Sequence, residues 1–219
     1  MDAVERAAAL REYAEQTATC TKCALAAGRT QVVFGSGSPN ADLMFVGEAP
    51  GFHEDQQGVP FVGQAGRLLD RLLEGIELTR ADVYVVNVLK CRPPGNRDPM
   101  PEEIAACEPH LFRQIELMEP TLVATLGNFA TKLLSGRPAG ITRVHGQLHE
   151  VTLGSRKVSL YPLYHPAAAL YTPSMLKVLE DDFARIPELL EEQAQERPPD
   201  VERTPVAEPE PEAVQLGLF

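Results

Sequence analysis

The 219-residue sequence has no apolar run approaching twenty residues and no charged-then-apolar opening segment. The first lack argues against a membrane-spanning helix and the second against a secretory leader, so the chain is expected to be cytoplasmic, with no membrane partner. No internal repeat is evident, and the length allows one sizeable core with an appendage. Cysteine is scarce: Cys20, Cys23, Cys91 and Cys107 are the whole supply. Thiols in a reducing compartment seldom pair as disulfides. Positive charge is also in deficit, and a net charge of −11 argues at first against a nucleic-acid partner. The distribution weakens that argument. Residues 180–219 hold 12 acids and 3 bases, which leaves 1–179 with 19 acids and 17 bases. A nearly neutral body can present a basic patch, for which Lys90, Arg92, Arg97, Arg137 and Arg143 are candidates.

The scarce cysteines are patterned. Cys20-Thr21-Lys22-Cys23 loops back on itself and offers two sulfurs to one centre, and Cys91 and Cys107 can complete a tetrahedron once the fold brings them near. Two disulfides or four unrelated core thiols are the plainer readings. Spacing alone does not separate a structural zinc from an iron–sulfur centre.

Along the chain, 2–18 reads as a helix with Val4, Ala7, Ala8, Leu10 and Ala14 on one side. Leu43–Val46, Val83–Val86, Thr121–Leu126 and Lys157–Leu163 read as buried strands. Between them lie helices over Ala65–Ile76, Pro101 to about Met118, and a short one capped by Asn128; a last helix runs from Met175 to about Gln193. This alternation predicts an α/β three-layer sandwich with a central, largely parallel four-stranded sheet. Ligands of such sheets bind beyond the carboxyl ends of the strands. Gly47–Gly51, Asn87 with Lys90, and His165-Pro166 all fall there. From about Gln195 prolines and acids dominate, so 1–194 is read as the folded domain and 195–219 as an extended acidic tail.

Four segments carry a resemblance: Gly47-Glu48-Ala49-Pro50-Gly51, the stretch from Gly58 to Gly66 containing Phe61, Asn87-Val88-Leu89-Lys90-Cys91-Arg92-Pro93-Pro94, and His165-Pro166-Ala167. From about Cys20 to Met175 the chain resembles the iron–sulfur, thermostable class of uracil-DNA glycosylases, family 4. The resemblance implies a 4Fe–4S cluster on the four cysteines, structural in role because hydrolysis moves no electron. It implies excision of uracil from single- and double-stranded DNA in base excision repair, by a nucleoid-associated monomer.

The chemistry of the residues agrees with that implication. A uracil must leave the stack to be reached, and Phe61 offers a flat face under the flipped ring. The Asn87 amide carries one acceptor and one donor, matching uracil N3–H and O4, whereas cytosine presents the reverse. An imidazole N–H from His165 would stabilise charge developing near O2 in the transition state, helped by backbone N–H groups at Gly47–Ala49. Ala49 stands where better-known members of the superfamily carry a water-activating Asp, a lack that family 4 shares. Glu48 is the nearest carboxylate to orient water, and a dissociative path through an oxocarbenium-like sugar is the consistent one. Leu170 or Tyr171, in a loop over Ala167–Ser174, is expected to fill the gap left by the flipped base, and Arg92 and Arg97 to face DNA.

Three further readings complete the sequence picture. A non-catalytic DNA-binding scaffold of the same fold is the alternative that Ala49 raises. A relative that captures uracil-DNA covalently has a basic loop ending in histidine, and Arg92–Asp98 contains none. The final Gln215-Leu216-Gly217-Leu218-Phe219 resembles the short peptide by which bacterial repair proteins bind the sliding clamp, with Gln215 at a rim and Leu216, Leu218 and Phe219 as apolar anchors on a tether.

Overall fold

The computed structural model describes residues 1–196. The chain opens with α1 (Ala3–Ala18), whose start is fixed by Asp2 accepting the Val4 and Glu5 N–H groups. Then follow β1 (Ser36–Gly37), β2 (Leu43–Gly47), α2 (Phe52–Gln57), α3 (Gln64–Glu74), β3 (Val83–Asn87), α4 (Pro101–Met118), β4 (Leu122–Leu126), α5 (Asn128–Ser135), α6 (Ile141–Val144), β5 (His149–Leu153), β6 (Arg156–Leu163), α7 (Pro166–Tyr171), α8 (Pro173–Ala184) and α9 (Ile186–Glu196).

The sheet order is β1-β3-β2-β4-β6-β5. The four predicted strands β3-β2-β4-β6 are parallel, and β1 and β5 add an antiparallel strand at either edge. The central strands are buried on both sides, so their residues sort by alternation into two cores. Leu43, Phe45, Val83, Val85, Leu122 and Ala124 pack with α3, α8 and α9. Met44, Val46, Tyr84, Val86 and Val123 pack with α1 and α4 on the other face. Leu68, Leu69, Leu72 and Leu73 bury the inner stripe of α3. Among the described residues no helix is long and apolar enough to cross a membrane.

Three local expectations are corrected. Asn128 does not cap α5 with its side chain: Gly127 holds the cap position at φ 97°, and Asn128 Oδ1 accepts the Ile141 N–H at 3.0 Å, tying α5 to α6. The single final helix is two, broken at Arg185, because Pro187 brings no N–H to a continuous ladder and disfavours helical geometry at Ile186. The loop expected over 167–174 is mostly helix: Pro166 and Pro173 each occupy a first helical position, where their missing N–H costs nothing. The clamp-like residues Gln215, Leu216, Leu218 and Phe219 lie outside the described residues.

The connection leaving β2 runs to β3 on one side, while that leaving β4 runs toward β6 on the other. β2 and β4 are neighbours, so a crevice opens where the connections diverge. The ends of β2, β3 and β6 deliver Gly47, Asn87 and Leu163, two residues before His165, to that edge.

Candidate active site and thiol cavity

A cavity of about 550 Å³ opens at this edge, lined by Glu48, Ala49, Glu54, Phe61, Arg97 and His165 among others. Gly47 and Asn87, paired in register, meet the Phe61 ring just behind that wall. A Cβ on Gly47 would stand 2.3 Å from Asn87 Oδ1 and 2.8 Å from the Phe61 ring, so only glycine permits the approach. Asn87 is 2% exposed, and its Oδ1 has no hydrogen-bond partner among the described residues. A buried acceptor left unpaired costs about 1–3 kcal/mol.

Phe61 is held in a left-handed conformation, φ 56°, that a bulky side chain rarely adopts. Three neighbours enforce it. Arg80 donates to the Phe61 carbonyl at 2.9 Å. Glu54 Oε1 accepts the Val62 and Gly63 N–H groups, both at 3.1 Å. Gly66 gives the carbonyl room: a Cβ there would lie 1.6 Å from that oxygen. Sequence reasoning missed Glu54 and Arg80; only the three-dimensional turn shows what they hold.

His165 caps α7, its Nδ1 accepting the Ala167 N–H at 3.1 Å. A nitrogen that accepts carries no proton, so in the neutral ring Nε2 bears the hydrogen. Burial pulls the imidazole down to about 4, opposed by Glu54, so the ring is neutral near pH 7. The result is a donor with a fixed tautomer at the cavity wall, its ring 5.6 Å from that of Phe61. Burial, with Asp98 second, raises the Glu48 carboxyl above its ordinary value.

All four cysteines line a second, mostly apolar and far smaller cavity of about 10 Å³. Lys90 N–H donates to Cys107 Sγ at 3.2 Å, Arg29 donates to Cys91 Sγ at 3.6 Å, and His110 Nε2 lies 3.4 Å from Cys20 Sγ. Such donors suit thiolates, the form in which cysteine binds metal. Among the described residues no three His, Cys, Asp or Glu converge tightly enough for one ion. Four thiols line one shared space, a donor set that suits a metal–sulfur centre. As free thiols, Cys91 and Cys107 are pushed up by burial, Cys107 to about 11.

The cationic and wedge candidates are placed unequally. Arg97 lines the first cavity but is paired with Glu103 at 2.5 and 2.9 Å. Arg92 bonds Asn96 at 2.6 Å and lies over the half-exposed ring of Phe52. Lys90 is no surface charge: it is 1% exposed, and burial draws its ammonium down to about 7. Leu170 packs against the α3 side of the core, while Tyr171 is 84% exposed.

The family profile of the Uracil DNA glycosylase superfamily matches residues 34–190. The chain is 45% identical to the type-4 uracil-DNA glycosylase of Sulfurisphaera tokodaii over 82% of its length and 84% of that protein's. The chain belongs to the type-4 uracil-DNA glycosylases. The type-4 enzyme of Archaeoglobus fulgidus is likewise 45% identical, over 82% of this chain and 92% of that protein. That of Thermotoga maritima is 45% identical over 71% and 80%. Within this family frame, the glycine-bounded turns and the His165 cap form one wall, and the cysteines a separate centre behind β3.

Proposed function

We propose that this chain flips uracil out of single- and double-stranded DNA and hydrolyses its N-glycosidic bond, leaving an abasic site for base excision repair. The observation that carries the reading is His165: a ring kept neutral by burial, one nitrogen already taken by a backbone N–H, the other bearing a proton at the cavity wall. A neutral donor aimed at uracil O2 stabilises the departing uracilate without a charge to be displaced, worth about 3–4 kcal/mol for such a preorganised donor. Asn87 accepts the uracil N3–H at the Oδ1 it holds unpaired and donates to O4 from Nδ2. Phe61 stacks on the base, and N–H groups at Gly47, Glu48 and Ala49 support the O2 side. With Ala49 offering no base, bond breaking runs ahead of water addition, and Glu48 orients the water. Tyr171 is the better placed wedge for the vacated stack, with Leu170 bracing it, and Arg92 and Arg97 face the DNA strand.

Cys20, Cys23, Cys91 and Cys107 would hold a 4Fe–4S cluster that cross-links the N-terminal segment, the β3 exit and α4, with no part in bond breaking. The folded domain spans 1–194 of a cytoplasmic, nucleoid-associated monomer, and the tail 195–219 tethers the terminal peptide to a sliding clamp.

The test is incubation of the purified full chain with single- and double-stranded oligonucleotides carrying one uracil, followed by alkaline cleavage of abasic sites. Multiple turnover by wild type, lost in His165→Ala and Asn87→Ala, is expected. Tight binding of uracil-DNA without abasic product would overturn the reading.

A further inference from the structure

Lys90 lines the thiol cavity and reaches back to Asn87, at the strand end where the first cavity opens. Its backbone N–H donates to Cys107 Sγ at 3.2 Å, its carbonyl accepts the Val33 N–H at 2.8 Å, and its chain lines the thiol cavity. Its Nζ turns back three residues and donates to the Asn87 carbonyl at 2.7 Å. No carboxylate pairs with it among the described residues, though it is 1% exposed. A long apolar side chain would fill the same space without burying a charged or polar head, so the cost of lysine needs a return.

The Asn87 carbonyl supplies it. Asn87 is the last residue of β3, where the ladder ends. The next two N–H groups, of Val88 and Leu89, go to the Gly47 and Glu48 carbonyls at 2.9 and 3.0 Å. The Asn87 carbonyl receives Nζ, so the Asn87–Val88 peptide is held at both ends, its N–H on the Gly47 carbonyl and its oxygen on Nζ. The plane of that peptide governs the direction in which the Asn87 amide leaves the backbone.

We infer that Lys90 is a positioning residue for uracil recognition: its Nζ locks the peptide that aims the Asn87 amide, and its N–H anchors that lock to the thiol centre. The inference rests on the glycosylase reading and on Asn87 as the base reader. It makes the cysteine centre a support for base selection, through one side chain and one backbone bond.

The experiment is a double-mutant cycle on the full chain. Lys90→Met, Asn87→Ala and the pair are compared with wild type for kcat/KM on a uracil oligonucleotide, with iron content and Tm measured on each protein. Lys90→Met, similar in length and apolar, is expected to lose about tenfold to a hundredfold in kcat/KM, as small misplacements of a positioned group do. It should keep its iron, and adding Lys90→Met to Asn87→Ala should cost little more, since both remove the same aim. Lys90→Gln, which keeps a donor on a shorter chain, should fall between. Wild-type activity in Lys90→Met with iron retained, or losses that simply multiply, would overturn the inference. So would loss of iron and folding in both Lys90 variants, which would assign the lysine to the thiol centre alone. Failure of wild type to cleave uracil would instead sink the glycosylase reading and is distinguishable from all of these.

Discussion

The two cavities flank one short segment, Asn87–Cys91, yet they are built in opposite ways. The catalytic cavity is made of turns at strand ends, where backbone groups and glycines do most of the work: Gly47 makes room for Asn87, Gly66 for the Phe61 carbonyl, and the Ala167 N–H sets the His165 tautomer. The thiol cavity is made of side chains from separate places, Cys20 and Cys23 after α1, Cys91 beyond β3 and Cys107 on α4. The first is rigid because its backbone is constrained locally. The second depends on side chains that converge from distant parts of the chain. A site of the first kind should fail through substitutions that move backbone, and one of the second through loss of its centre.

Predictions that break this contrast can be ordered by size. His165→Ala should lower kcat for uracil release by about 10²–10³, the cost of one preorganised donor, with substrate binding far less affected; single-turnover and binding assays separate the two. Gly66→Ala should cost nearly as much by displacing Phe61, since the added carbon would sit 1.6 Å from a carbonyl oxygen; a lower Tm together with lost excision is the signature. Cys107→Ser should act on the other cavity, reducing iron content and thermal stability first and activity through them, as iron analysis alongside Tm would show.

Smaller effects sharpen the comparison. His165 has a folded value near 4 against an ordinary 6.5, so between those pH values the unfolded chain binds the extra proton. The stability that accompanies its neutral burial is therefore whole above about 6.5 and is lost as pH falls toward 4. Urea midpoints at pH 7.5 and 5 should diverge in wild type more than in His165→Gln. Tyr171→Ala should slow excision from duplex about tenfold, the scale of a modest stacking contribution, and from single strands much less; equal slowing on both would remove its wedge role.

The catalytic turns were more legible in the sequence than the thiol cavity's surroundings, and the reason is again local against distant. Val83–Val86 and Leu122–Leu126 announce themselves because strands buried on both faces are continuous apolar runs. The edge strand His149–Leu153 alternates exposure and mixes in charge, and β1 is only two residues long, so neither stands out. Pro166 is a sound helix start, yet so brief a helix as Pro166–Tyr171 reads as loop. Lys90 was misread as a surface cation because its residue type is almost always exposed; nothing in a linear reading reveals that its head folds back to Asn87. Glu54, Arg80, Arg29 and His110 likewise act across distances in the chain that only packing closes.

The most direct test of the account is the ionisation and tautomer of His165, read by ¹⁵N NMR of the imidazole in the full chain as pH is lowered from 8 to 5. The account predicts a neutral ring throughout, with the proton on Nε2 and Nδ1 accepting. A ring that titrates near 6.5, or that carries its proton on Nδ1, would contradict it.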